Sequence, residues 1–278
     1  MRLTVVLALL AAGSAWACAP GGPPSPPGLS YDLPEDPTLT YAWGDTSRLE
    51  MSLSGQDFDA SSAASAMVDA TFTRIEGGLQ ASFTFDDFQG RFSQPMGSPS
   101  RASADDVTGP LFFDLDRRGK VSSVRPPQLE GSAAQVLEPY SLAHGFFPIL
   151  PGTAAEPGDI WTDTLRYDVD SDWGTVEATV VRRYTLEGDT VADGRSLLLI
   201  RSAGTADVAT DGEIQRMRVS QSASGSLEGT HLWDPGRGIL VASRETPDLR
   251  GTLRASAAPA PLNLRVRQTI AIRLTDGG

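Results

Sequence analysis

The sequence predicts a mainly β protein: one large, curved antiparallel sheet of about eleven strands, built as two repeat-like halves with a short helical connection between them. Three observations carry this prediction. Apolar residues recur at every second position over long stretches. Glycine-containing turn signals punctuate those stretches. A content of 40% hydrophobic and 21% charged residues in 278 is that of a chain that folds around a core. A period of two places alternate side chains on opposite faces, one buried and one wet, and this favours antiparallel pairing.

The chain opens with an export address rather than a strand. Met1-Arg2 is followed by an apolar run from Leu3 to Ala12, half the length that a membrane-spanning helix requires. Ala15-Trp16-Ala17 forms the small-residue cleavage site, directly before Cys18, the only cysteine. Residues 1–17 are thus expected to be a signal peptide. Cys18 fits the acylated cysteine of a lipoprotein box, with Ala17 and Ala15 matching and Trp16 departing from it; ordinary secretory cleavage would cut at the same bond. Residues 18–38 hold the anchor cysteine and a Pro/Gly-rich tether in which Pro20, Pro23, Pro24, Pro26, Pro27, Pro34 and Pro37 exclude helix and central strand.

The first β half is expected over 39–127 and the second over 161–278. Leu49, Met51 and Leu53 alternate with polar residues, as do Leu79, Ala81, Phe83 and Phe85. In the second half Val176, Ala178 and Val180 share a face, then Met217 and Val219. Leu262, Leu264, Val266, Ile270, Ile272 and Leu274 form a last strand of about 13 residues, roughly 43 Å at 3.3 Å per residue. Gly77-Gly78, Asp193-Gly194, Asp211-Gly212 and Pro235-Gly236-Arg237-Gly238 are read as turns. Residues 128–160 form the connection: a helix within Gln128–His144, interrupted at Pro139, then Phe146-Phe147-Pro148-Ile149-Leu150-Pro151 as either an apolar plug on the concave face or a plain linker.

An internal match supports the two halves. Gly109-Pro110-Leu111-Phe112-Phe113-Asp114, leading to Arg118-Gly119, parallels Gly229-Thr230-His231-Leu232-Trp233-Asp234, leading to Arg237-Gly238. Each reads as strand, Asp-initiated turn with Gly, strand, with Asp114 and Asp234 equivalent.

Chemistry-bearing patterns are sparse. A net charge of -12 excludes a nucleic-acid partner. Asp168-Val169-Asp170-Ser171-Asp172-Trp173-Gly174 lacks the Gly and Glu spacing of a calcium loop and reads as a hairpin. His144 and His231 have no ligand at metal spacing, so each is assigned to packing or surface. No nucleophile elbow is present. Asp86-Asp87 and Asp105-Asp106 are poor acid/base pairs, since in strands such neighbours would face opposite ways, and they are read as solvated turn residues. Arg216, Arg218, Arg265, Arg267 and Arg273 lie opposite apolar residues and are expected to pair with carboxylates across strands. No catalytic residue, metal site or cofactor is assigned.

The export signal, the two-part β body and the Phe-Pro-x-Leu-Pro element before Gly158-Asp159-Ile160-Trp161 resemble an uncharacterised family of secreted bacterial lipoproteins. The architecture also resembles the LolA/LppX-type half-barrel, a curved antiparallel sheet closed by helices over an apolar cavity. The body resemblance covers residues 38–276 and carries no site residue over; together with the likeness of Ala15–Cys18 to a lipoprotein signal, it implies an exported protein of the cell envelope, periplasmic or on an outer-membrane leaflet, anchored through a palmitate-bearing Cys18. It implies a non-catalytic binder of an apolar or amphipathic, lipid-like ligand in the sheet's hollow. The other readings are an adaptor that docks envelope proteins and a hydrolase whose site lacks a known motif.

Overall fold

The structure, a computed structural model, describes residues 28–53, 56–94, 97–171, 174–214, 217–256 and 260–275. Cys18, the signal peptide and the tether up to residue 27 lie outside the described residues.

The elements follow in chain order: β1 (Thr38–Leu53), β2 (Gln56–Ile75), β3 (Gly78–Ser93), β4 (Ser100–Ser103), β5 (Val107–Thr108), β6 (Leu111–Asp116), β7 (Val121–Arg125), β8 (Gln128–Leu129), α1 (Ala133–Val136), α2 (Pro139–Phe146), β9 (Ile160–Ser171), β10 (Gly174–Ala192), β11 (Arg195–Ile214), β12 (Met217–Asp234), β13 (Ile239–Ala255) and β14 (Leu262–Leu274). Eleven of the strands form one path, β7-β6-β3-β2-β1-β14-β13-β12-β11-β10-β9, with β4 added beside β3. Five strands of that path come from the first half and six from the second, eleven in all as expected. The halves are one sheet, because β1 pairs with β14 from Tyr41↔Leu274 to Ser52↔Asn263. The sheet curls into a half-barrel. Its longest strands, β2 and β11, run 20 residues. Strands of that length must twist and coil, and glycine admits the bends. A Cβ on Gly204 would lie 1.9 Å from the Val181 carbonyl oxygen, and one on Gly251 would lie 1.9 Å from that of Ser222.

The connection settles the choice left open by the sequence. Leu137 and Glu138 separate α1 from α2. Pro139 opens α2 where its missing N–H costs nothing, and the Glu138 carboxylate caps the helix by accepting from the Tyr140 and Ser141 N–H groups. Phe146 and Phe147 then plug the concave face. Phe146 packs edge-on against Tyr41 of β1 at 5.3 Å and Phe83 of β3 at 4.6 Å. Phe147 reaches Phe113 of β6 and Phe72 of β2. Two residues on, the Ile149 N–H donates to the Tyr184 hydroxyl of β10, and Trp161 Nε1 of β9 donates to the Ile149 carbonyl at 2.7 Å. One short segment therefore touches strands from both ends of the sheet, and this fixes the curl.

Three expectations need correction. Asp211-Gly212 is not a turn: both residues lie inside β11, with Gly212 opposite Gly174 of β10 and Val219 of β12, and the reversal comes after Ile214. Glycine serves close backbone approach there, since a Cβ on Gly174 would stand 2.2 Å from the Asp211 carbonyl oxygen. In the internal match the equivalent of Asp234 is Asp116, not Asp114. Asp116 Oδ1 accepts from the N–H groups of Arg118 and Lys120 as Asp234 Oδ1 does from Gly236 and Arg237, whereas Asp114 holds Gln80 across the sheet. The two hairpins match further: the register shifts just before Leu115↔Val121 in the first and just before Trp233↔Leu240 in the second, where Asp234↔Ile239 then closes the hairpin. Finally, residues 29–31 of the expected tether belong to the body. Leu29 exchanges backbone hydrogen bonds with Thr153 and Gly152, and the Tyr31 N–H donates to the Arg117 carbonyl. The Tyr31 ring meets Trp233 edge-on at 4.8 Å, and its hydroxyl donates to the Pro148 carbonyl. It therefore bridges the β6–β7 turn, the plug and β12.

Candidate ligand cavity

The concave face carries three layers along the strands of the second half. Nearest the plug is the main core, with Tyr184, Ile200, Trp233 and Leu240 buried. One step along each strand is a polar layer of Arg182, Ser202, His231, Ser243 and Glu245. Beyond it Val180, Ala206 and Leu227 form a smaller apolar cluster with Leu165 and Leu249.

Between the concave face at the β1–β14 seam, where the two halves meet, and the helical connection, space remains. A cavity of about 260 Å³ is bounded by Trp43, Asp45 and Ser47 of β1, Gln268, Ile270 and Ile272 of β14, and Leu137, Glu138 and Leu142 of the connection, among others. Ligand pockets typically span about 300–1,000 Å³, so this is a compact one. Its walls are mixed. Asp45 Oδ2 accepts from Gln268 Nε2 at 2.7 Å, while Asp45 Oδ1 and Trp43 Nε1 are buried without a hydrogen-bond partner among the described residues. Burial raises the Asp45 carboxyl above its ordinary range, with the Gln268 bond opposing. Burial raises Glu138 as well, against the two helix N–H groups it accepts. A buried donor and a buried acceptor left unmet each cost of order 1–3 kcal/mol. A molecule that accepts from Trp43 and donates to Asp45, with an apolar part against Ile270 and Ile272, would meet both.

Neither Asp45 nor Gln268 was singled out from the sequence, although a signal existed. Tyr41 and Trp43 set the inward face of β1, and Asp45 interrupts it. Val266 and Ile270 set that of β14, and Gln268 interrupts it. The interruptions lie on paired strands, one step apart in register, which only the fold reveals.

The polar layer is the other concentration of reactive groups. Ser202 Oγ lies 3.0 Å from His231 Nε2, and Ser243 Oγ 2.9 Å from His231 Nδ1. Arg182 donates to Glu245 at 3.1 Å. A serine triad needs its carboxylate on the imidazole nitrogen away from the nucleophile. Glu245 approaches Nε2, the nitrogen that meets Ser202; for Ser243, on Nδ1, that carboxylate is on the required side but stands at 4.0 Å, beyond hydrogen-bond distance, and Ser202 holds the nitrogen instead. Desolvation pushes His231 down to about 4, against the nearby Glu245 charge, so it is a neutral hydrogen-bonding link at neutral pH. Ser202 and His231 are 5% and 1% exposed, which makes the group a core network. His231 is thus packing, as assigned. His144 is half-buried and stacks on Tyr167 at 4.9 Å.

Arg265 pairs with Asp248, Arg267 with Glu50 and Arg273 with Asp193. Arg216 lies outside the described residues. Asp168 and Asp170 sit on β9, and the Thr175 hydroxyl donates to Asp170, while Asp172 is outside the described residues.

No protein-family model matches the chain, and no curated protein matches it. Solved structures that it is similar to include the hypothetical lipoprotein YmcC from Escherichia coli, at 14% identity over 81% of this chain and 85% of that one, with a TM-score of 0.25. The β domain of the Bordetella autotransporter BrkA overlaps at 10% identity, 85% and 100% coverage and a TM-score of 0.25. OpdQ of Pseudomonas aeruginosa overlaps at 6% identity, 86% and 98% coverage and a TM-score of 0.22. At these TM-scores the overlaps carry no inference about this chain. The half-barrel expected from the LolA/LppX-type resemblance is present, but no family match ties the chain to those carriers.

Proposed function

We propose that the protein is exported, anchored to a membrane through acylated Cys18, and binds a small amphipathic molecule, without catalysis, in the cavity between β1, β14 and the α1–α2 connection. The observation that carries this reading is the pairing of an unmet donor, Trp43 Nε1, with an unmet acceptor, Asp45 Oδ1, on the wall of an otherwise part-apolar hollow. The aromatic plug occupies the centre of the concave face, so the ligand volume is confined to this flank and suits a short or compact molecule rather than several acyl chains. The absence of any reactive motif in the sequence and the sealed geometry of the Ser202–His231 network favour binding over hydrolysis.

Two measurements test the proposal. Fractionation of cells expressing Cys18→Ser should move the protein from the membrane to the aqueous fraction; unchanged fractionation refutes the anchor. Protein purified under native conditions should release a stoichiometric small molecule into an organic extract analysed by mass spectrometry. An empty extract with a co-purifying envelope protein refutes the binder and favours the adaptor.

A further inference from the structure

We propose that the convex face carries a binding site for a phosphate-bearing anion, gripped by Arg91 and Arg101 at one end and Arg244 at the other. The site lies on the side of the sheet opposite the cavity and does not depend on it.

Register defines the site. Arg91 of β3 stands directly opposite Arg101 of β4. Like charges at such a position repel and cost stability unless an anion lies between them. From Arg244 on β13 an unbroken row crosses the sheet: Arg244↔Ala271, Ala271↔Gly44, Gly44↔Ser65 and Ser65↔Gln89. β13 and β3 are four strand steps apart, about 19 Å at 4.7–4.9 Å per step. Small side chains at Gly44, Ala63 and Ala271 leave the floor between them low, and the arginines rise as walls around a groove of about 750 Å³.

Charge points to the ligand. The protein carries a net charge of -12, and Arg201, Arg265, Arg267 and Arg273 on the same face have carboxylate partners. Arg91, Arg101 and Arg244 are exposed and have no ion pair or hydrogen-bond partner among the described residues. Asp45 is the single acid that borders the groove, and its carboxylate is turned to the other face, where it holds Gln268. Three unmatched guanidinium groups around a floor without acids suit a tetrahedral oxyanion, which arginine binds by paired N–H donors. A phosphate between Arg91 and Arg101 would relieve their repulsion, and a second anionic group on the same molecule would reach Arg244.

The test uses the full chain carrying Cys18→Ser, so that no acyl group contributes to vesicle binding. Two probes separate the sources of phosphate: vesicles of phosphatidylglycerol in phosphatidylcholine, and inorganic pyrophosphate in solution. At about 50 mM salt the protein should bind at least one probe, and more weakly as salt rises. Binding to vesicles alone assigns a lipid headgroup; binding to pyrophosphate assigns a soluble phosphate compound. Arg91→Gln, Arg101→Gln and Arg244→Gln should each weaken binding about tenfold or more, while Arg273→Gln, which removes the same charge from the same face, should not. Because Arg91→Gln relieves repulsion, its melting temperature should equal or exceed that of the parent; Arg244 has no opposing arginine and supplies an independent variant. Failure of both probes to bind, a triple variant that binds like the parent, or an equal loss in Arg273→Gln overturns the proposal.

Discussion

Acidification should cost this protein stability well above the range where exposed carboxylates protonate, and His231 is the main reason. The imidazole is 1% exposed, and burial lowers it from 6.5 to about 4. The folded state therefore keeps His231 neutral while the unfolded chain takes up a proton, so stability falls as pH drops from 6.5 and levels out below 4. With those two values, linkage gives a loss on the order of 2–3 kcal/mol between pH 7.5 and pH 4.5. His144, lowered to about 4 by partial burial, acts with the same sign and a smaller weight because solvent screens it. Asp45 and Glu138, both raised by burial, act with the opposite sign. Comparison with His231→Asn isolates the histidine. Urea denaturation at both pH values should show the parent losing on the order of 2–3 kcal/mol more than the variant, although the variant starts lower at pH 7.5 because Ser202 and Ser243 lose their partner. An equal loss in both proteins would refute the assignment of His231 as a desolvated, neutral core group.

Further outcomes follow from the same packing. Glu245→Gln leaves Arg182 buried without its charge partner, and chemical denaturation should show a loss of about 3–5 kcal/mol. Phe146→Ala removes the ring that meets Tyr41 and Phe83, with an expected cost of about 3–5 kcal/mol and a lower melting temperature. Asp45→Asn removes a charge whose burial is unfavourable, so stability at pH 7.5 should rise, and a fall would show that the carboxylate is paired in a way not seen here. Gly119→Ala should be strongly destabilising: its φ is +87°, and the added Cβ would fall 2.4 Å from Tyr31 Cε2. An unchanged melting temperature would contradict the docking of residues 29–31 on the β6–β7 turn.

The period-two pattern made the sheet readable because a half-barrel has one dry and one wet face over most of its length. The 13-residue extent of β14 was explicit in its alternation, and Pro139 marked the break between α1 and α2. What the pattern could not give was pairing. Nothing local distinguishes a glycine that turns the chain from one that lets two backbones approach, and so Asp211-Gly212 was misplaced. Asp114 and Asp116 are both strand-end aspartates, and only the hydrogen bonds of Asp116 identify it as the turn initiator. The cavity was legible in retrospect at Asp45 and Gln268, each a polar break in an apolar face. The Arg91–Arg101 opposition was not, since it exists only once β4 folds back on β3.

If the hollow beside Trp43 and Asp45 is a ligand site, the protein leaves the cell with a molecule in it. Native mass spectrometry of the protein purified under native conditions from the cells that make it reads this out, with Ser47→Trp as the comparison, because a bulky ring at Ser47 would fill the cavity. The parent should carry a discrete added mass that Ser47→Trp lacks while still folding. The same added mass on both proteins, or none on the parent, would contradict it.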